Sequence, residues 1–328
     1  MRSSRKKLSN RSSVTVKRQN VQRSGFIAPS TRFLIQSFKV KGFSSSHLGL
    51  LDMLLACLLF SLMNACVYAV RLFETDIPAT VISFVRIITN LAILLSLALV
   101  KREMSALLGD KRPSLWLRGL FGALALMLSF MAITRIGPGE SAFLTATSGL
   151  FVALLGPLVL GQKNSWLMWL AILGAFSGVT LLFKQDGQQL DWLGRTMALL
   201  SGFLSALAYL MVARAGRSNS PRSVIFYFCL VALLVHIAYF VAYGFQMPAQ
   251  LETWGLLLLT GLLGSGAQFH MTRAYQATPA ALVSAVGYLV PVLSLFWGIS
   301  FFNQLPGPNA LLGAALIVVF GVMLPFLR

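Results

Sequence analysis

The chain has 328 residues, of which 57% are hydrophobic and only 11% charged, far below the roughly 25% charged residues of a soluble domain. That balance excludes a soluble enzyme or a nucleic-acid-binding domain as the main body. The net charge of +18 therefore matters for where it lies rather than for its sum, and no nucleic-acid partner is expected. Apolar runs of about 18 to 23 residues recur along the chain, the length that crosses a hydrocarbon core of about 30 Å. They are continuous, whereas a membrane barrel would alternate every second residue. The expected fold class is an all-α polytopic membrane protein with the lipid bilayer as its surroundings. Cys57, Cys66 and Cys229 all fall inside apolar runs, where they read as small packing residues rather than a disulfide framework.

Residues 1–47 hold eleven of the 27 Lys and Arg residues and no acid. They lack the apolar core of a secretory signal peptide. Three readings of this tail stay open: a disordered basic segment held in the cytoplasm, an organelle transit peptide, and an over-extended reading frame. Ten spans follow, at Leu48–Val70, Pro78–Val100, Leu115–Ile133, Ser141–Leu160 and Trp166–Phe183, then Thr196–Ala213, Val224–Tyr243, Trp254–Met271, Ala281–Phe302 and Ala310–Leu327. A polar linker, KQDGQQLDWLGR, separates the two groups of five.

Lys and Arg counts in short loops set the orientation. With the tail inside, the inner loops carry Lys101, Arg102, Lys111, Arg112, Lys163, Arg214, Arg217, Arg222 and Arg273. In the outer loops Arg71, Arg135, Lys184 and Arg195 are balanced by acids. Both termini are expected in the cytoplasm, with the protein in a bacterial inner membrane ahead of an organelle membrane.

The stretch from Gly119 to Gln162 is echoed 142 residues later, from Gly261 to Gln304. Gly119 meets Gly261, Gly122 meets Gly264, Ala132 meets Ala274, and one position later in register Gly178 meets Gly321. Five spans is an odd number, so the second copy enters the membrane upside down. The expectation is two inverted five-helix repeats, at residues 48–184 and 193–327. Inverted repeats let one scaffold exchange inward-open and outward-open states, which a carrier needs and a receptor does not.

These features resemble the EamA-type carriers of the drug/metabolite transporter superfamily, over about residues 48 to 327. The family's F-x-R is present as Phe84-Val85-Arg86, and Ala274 is followed at the family spacing by Pro291, where the first copy has Ala132 and Gly149. The Gly–acid pair that closes the fourth span reads Gly161-Gln162 here and Asn303-Gln304 in the second copy, with Phe228 standing where that copy's arginine would fall. The resemblance implies that the first, third, fourth, sixth, eighth and ninth spans line a central cavity.

Polar side chains deep in spans are the candidates for substrate contact. Arg86 lies eight residues past Pro78, about 12 Å along a helix and hence near mid-membrane. It either faces the pathway or bonds carbonyls and Asn90 one turn on. Asn64, Thr145, Ser148, Tyr209, Gln268, Tyr275, Ser284 and Tyr288 complete the candidate substrate site; each hydroxyl has packing between helices as its alternative, while buried phenols suit metabolite pockets. His236 and His270 are proton-relay candidates, although a lone intramembrane histidine with no acid nearby is more often a satisfied packing group. The glycines of GLFG and GLLG permit close helix approach.

No His, Asp, Glu or Cys cluster suited to catalysis or to a metal appears in the pattern, so no enzyme activity, cofactor or metal is expected. The leading reading is a secondary transporter, an exporter by resemblance, moving a small polar zwitterionic or anionic metabolite by alternating access. An uptake carrier or exchanger for a metabolite or cofactor is the alternative, and a membrane-embedded enzyme or sensor subunit lies outside both. The partners expected are the small-molecule substrate and the bilayer, with a homodimer left open.

Overall fold

The computed structural model describes residues 45–160, 165–183, 191–323 and 326–327. The basic tail before Ser45, the Gly161-Gln162 pair, Lys163 and most of the polar linker, with Lys184, lie outside those residues. Among the described residues every regular element is helical. The α-helices are α1 (Ser45–Phe73), α2 (Ala79–Val100), α3 (Pro113–Ile136), α4 (Pro138–Ala146), α5 (Ser148–Leu160), α6 (Trp166–Phe183), α7 (Trp192–Ala215), α8 (Pro221–Tyr243), α9 (Leu251–Ala277), α10 (Ala280–Gly287), α11 (Leu289–Phe302) and α12 (Pro308–Met323), with a short 3-10 turn at Met104–Leu107.

Among the described residues seven segments are long and apolar enough to cross a membrane: Leu48–Phe73, Ala79–Val100, Pro113–Ile136, Pro138–Val159, Trp192–Ala215, Pro221–Tyr243 and Leu282–Phe302. Trp166–Leu181 and Pro308–Met323 are shorter apolar helices. A chain with this many apolar helices is a polytopic membrane protein, because only helices that bond their own backbone, or closed barrels, survive in hydrocarbon.

Local sequence sets the helix ends. Pro113, Pro138 and Pro221 occupy the first turn of α3, α4 and α8, where a missing N–H costs no helix bond. Gly137, at φ 83°, makes the corner between α3 and α4, a conformation that a side chain would strain. Asp191 caps α7 by accepting from the Gly194 N–H at 2.8 Å and also takes the Arg135 Nε at 2.8 Å.

Two of the expected continuous spans are broken. The fourth divides at Thr147 into α4 and α5, and the ninth divides at Tyr288 into α10 and α11. At each break the backbone tightens: the Thr147 N–H bonds the Leu144 carbonyl at 3.2 Å and the Tyr288 N–H bonds the Ala285 carbonyl at 3.3 Å, both three residues back. The Thr147 hydroxyl takes the same Leu144 carbonyl at 2.6 Å, competing with the regular ladder. The first break has no proline beside it, while Pro291, in the first turn after the second, lacks the N–H that would bond the Gly287 carbonyl; a hydropathy reading passes over both.

The packing is built from reciprocal pairs. α1 lies against α9 and α3 against α7; α2 also packs on α9 and α8 on α3; α4 meets α11, and α6 meets α12 at one side. The glycines make these approaches close. A methyl group on Gly119 would run into the Tyr227 carbonyl oxygen and Val231 of α8, and one on Gly178 into the Gly313 carbonyl and Leu316 of α12.

Because the obstacle at Gly119 includes backbone, it cannot be relieved by a rotamer change. Gly119→Val is expected to lower stability by about 1–3 kcal/mol, the usual cost of overpacking, read as a fall in the unfolding midpoint of detergent-purified protein. At Asp191, burial alone would raise the carboxyl pKa, but the Gly194 N–H and Arg135 outweigh it and hold it below the usual range. A lowered folded-state pKa gives stability that is complete above the unfolded carboxylate value and lost as pH falls through the folded one. Asp191→Ala should therefore cost about 1 kcal/mol near neutral pH, and this difference from the parent should shrink as unfolding is measured at progressively more acid pH.

Candidate functional site

A cavity of about 160 Å³ lies at the centre of the bundle. One water needs about 10–15 Å³ by the same measure, so the space admits several waters or a small polar solute. Its wall is drawn from α1 (Asn64), α2 (Arg86), α3 (Arg118, Ser129), α4 and α5 (Thr145, Ser148), α7 (Ser205, Tyr209), α8 (Phe228), α9 (Gln268, Tyr275), α10 (Ser284) and α11 (Pro291). Both broken spans contribute on each side of their breaks. A second recess, of about 340 Å³, lies around Glu140 and Gln304 beside α4, α11 and α12. It is the larger space, but its one carboxylate is already bonded by Arg195. The central cavity gathers convergent polar groups from many helices inside an apolar frame, which is the usual form of a solute site.

The structure brings Asn64, Arg86, Thr145, Ser148, Tyr209, Gln268, Tyr275 and Ser284 to this one wall. Asn64 donates from Nδ2 to the Ser294 hydroxyl at 3.2 Å, Gln268 donates from Nε2 to Thr272 at 3.3 Å, and the Tyr275 and Ser284 hydroxyls share a bond at 3.0 Å. The rings of Tyr209 and Tyr275 stack at 5.0 Å with 19° between planes. The Thr145 hydroxyl points to the Ala198 carbonyl at 3.5 Å. Tyr288 stands apart from the wall: its ring is wedged against Gly149 and Gly321, and its hydroxyl has no partner. The wall also takes side chains from α2 and α8, the second and seventh spans, beyond the set that the family resemblance implies.

Arg86 is 2% exposed and its Nε has no hydrogen-bond partner. Arg86 Nε therefore donates neither to a carbonyl nor to Asn90, whose own Nδ2 is also unpartnered. The guanidinium carbon lies 5.8 Å from the centre of the Phe130 ring. A second arginine shares the cavity. Arg118 is 3% exposed, its Nε is likewise unpartnered, and its guanidinium carbon lies 4.7 Å over Phe228. A sequence reading passes over Arg118 because it follows the start of the third span by only a few residues, where an arginine ordinarily snorkels to the surface. The signal that could have found it is the neighbouring Gly122, which clears its path. An arginine at a helix centre costs about 2.5–3.5 kcal/mol on insertion scales, and among the residues lining the cavity there is no Asp or Glu to offset it.

The two histidines sit elsewhere. His236 is fully buried between α2 and α8, with Nδ1 donating to the Ala232 carbonyl at 2.7 Å and Nε2 2.7 Å from the Ser83 hydroxyl. His270 lies towards the end of α9 with its Nδ1 2.7 Å from Asp52 Oδ1, and Arg273 Nε stands 3.3 Å from the other oxygen of that carboxylate. His270 thus has an acid partner on α1, 218 positions away. Neither histidine lines the central cavity. Among the described residues no group of three or more His, Cys, Asp or Glu could hold a metal ion.

A helical membrane protein with a central cavity that gathers polar side chains from many helices and is bordered by broken helices has the form of a solute carrier. The chain belongs to the EamA-like transporter family, which matches it twice, over residues 32–184 and 192–326. It is similar to the pseudopaline exporter CntI of Pseudomonas aeruginosa, 31% identical over 275 residues covering 83% of this chain and 93% of that protein. It is also similar to a riboflavin transporter of Rhizobium johnstonii, 27% identical over 84% of this chain and 90% of the relative. Solute carrier family 35 member G1 of Homo sapiens is 26% identical, over 84% of this chain and 78% of that protein. A solved crystal structure with a TM-score of 0.61 and 18% identity, covering 85% of this chain and 97% of its own, shares the fold. The protein is a membrane transporter.

Because His236 is bonded within the α2–α8 seam and faces away from the cavity, its surroundings should govern folding rather than solute binding. Ser83→Ala leaves the His236 Nε2 without its partner and should cost about 1–3 kcal/mol. Unfolding midpoints should fall, while solute affinity in the folded fraction stays at the parent value.

Proposed function

We propose that this protein is a secondary transporter, an exporter, that moves a small zwitterionic or anionic metabolite across a bacterial inner membrane by alternating access. The observation that carries this reading is Arg86: a buried guanidinium with an unpartnered Nε in a largely apolar cavity whose wall has no carboxylate among the described residues. A cation in such a place is tolerable if water reaches it or an anion arrives there. A substrate carboxylate or phosphate is the natural counter-ion, and a cationic solute is disfavoured.

The machinery in this reading is ten crossings in two inverted five-span repeats, at residues 48–184 and 193–327. Several observations support it. The family matches the chain twice, once in each half. The helix pairs are reciprocal, the first crossing of each half lying on the third of the other, in α1 with α9 and α7 with α3. Breaks fall in the fourth crossing of both halves and both border the cavity, as discontinuous helices do in carriers with inverted repeats. Both termini are cytoplasmic in this arrangement, since the bias of Lys and Arg then falls inside. Export is favoured by the likeness to a protein named as an exporter; uptake or exchange is the second reading, favoured by the absence of a carboxylate from the cavity wall, because strongly ion-driven carriers ordinarily keep an ionisable group in the pathway.

Untargeted metabolomics of medium and cytosol, with and without the gene, identifies the solute. An acidic or zwitterionic compound retained in the cytosol on deletion is the expected result, and accumulation of a cationic compound alone would sink the reading. Arg86→Lys keeps the charge but loses the planar fork that grips a carboxylate at two points. It should weaken affinity for that compound by about ten-fold with insertion intact, as measured on purified variants. Unchanged affinity in both Arg86→Lys and Arg86→Gln would remove Arg86 from the site.

A further inference from the structure

We propose that Arg86 and Arg118 act together as a two-pronged anion site, and that the transported solute carries two negative charges on one molecule, as two carboxylates or as a phosphate group. This rests on the anion-carrier reading above and narrows it to a charge class. The two guanidiniums come from different helices, α2 and α3, and line one cavity. Both are almost fully buried and each has an unpartnered Nε. Two like charges in a cavity of low polarity repel each other, and one negative charge neutralises only half of the pair.

The chain makes room for each guanidinium separately. A methyl group on Gly122 would collide with Arg118 Nη1, and one on Gly264 would collide with the Nε of Arg86. These two glycines are the equivalent positions of the internal echo, 142 residues apart. One sits on α3 beneath its own arginine and the other on α9 beneath the arginine of α2. The flanking glycines of the same motifs do something else, since Gly119 abuts the Tyr227 backbone and Gly261 abuts Thr89. Within GLFG and GLLG, then, the first glycine closes a helix pair and the last one clears a cation.

The faces of the guanidiniums are covered and their N–H edges are not consumed. Phe228 covers Arg118 and Phe130 lies beside Arg86. An aromatic ring on the face leaves the planar fork of N–H groups available, and that fork matches the two oxygens of a carboxylate or phosphate. Two such forks in one cavity select for a pair of anionic groups.

The test uses the purified full chain in detergent and calorimetric titration with the dicarboxylates malonate, succinate, glutarate and adipate, each against its monomethyl ester, with succinamide as the uncharged control. Methyl phosphate above and below its second ionisation separates a phosphate ligand from a dicarboxylate. At least one dianion should bind on the order of ten-fold tighter than its singly charged form, the worth of one further charge-assisted pair. Arg118→Gln should collapse that preference while the monoester still binds, and Gly122→Ala should weaken it with every charge retained. If Arg118→Gln does not fold, Gly122→Ala alone decides. Should no dianion bind better than its monoester, or should the preference survive intact in the folded variant, the two-pronged site is wrong. If the monoesters still bind in that case and Arg86→Gln abolishes them, the anion-carrier reading stands without it. If no anion of either kind binds, both fall.

Discussion

A guanidinium taken out of water must be given water, a counter-ion or a low price of desolvation, and the centre of this bundle holds two of them. Much else follows from that constraint. The acids that might have neutralised them are committed at the ends of the bundle. Asp52 is shared by His270 and Arg273, Glu103 takes Arg222 at 2.5 Å, Glu140 takes Arg195, and Asp191 takes Arg135. Asp110 accepts from Ser218 at 2.6 Å, and Glu74 accepts the Ala249 N–H at 2.8 Å. Ion pairs near the surface add little stability each. Their consequence here is positional: they tie connections to one another and keep negative charge away from the middle.

The broken helices serve the same end. A continuous helix uses its whole backbone in its own ladder and offers a cavity only side chains. At Thr147 and Tyr288 the chain tightens and resumes, so that α4 and α5, and α10 and α11, present two short faces each to the centre. Thr145 and Ser148 flank one break, and Ser284 and Val290 flank the other. Tyr288 itself fills the space over Gly149 and Gly321 and so couples the second break to both α5 and α12. A movement that opened the cavity by bending at one break would disturb the packing at the other.

Composition and run length make the helical membrane class legible, since nothing else buries this fraction of apolar residues in runs that long. Polarity deep inside an apolar run is equally visible, and that rule points to Arg86 and to the polar residues of α1, α7 and α9. What sequence hides is any feature that depends on a distant partner. Arg118 reads as an arginine at a helix start until α8 is seen to lay Phe228 beneath it. The pairing of His270 with Asp52 joins the first apolar run to the eighth. The helix breaks are hidden for a different reason: hydropathy averages over a window and reports crossing, while a break is one residue's hydrogen bonding.

The two halves, so alike in helix pairing, are not alike in chemistry. At the positions equivalent to Arg86 and Arg118, 142 residues on, the second half carries Phe228 and Thr260. Both cavity arginines therefore come from the first half, and the second half answers with Phe228, the Tyr209–Tyr275 stack, Gln268 and Ser284. A cation at each symmetric position would have placed four charges around one small space, and mutual repulsion would have risen with no gain in grip. Replacing the second-half arginine by Phe228 turns that repulsion into a cation–ring contact with Arg118. In the carrier proposed above, two halves that interchange shape would hold the solute by charge from one half and by rings and hydroxyls from the other. On that reading the charged half would define what binds, and the neutral half would be free to release its hold as the repeats exchange shape.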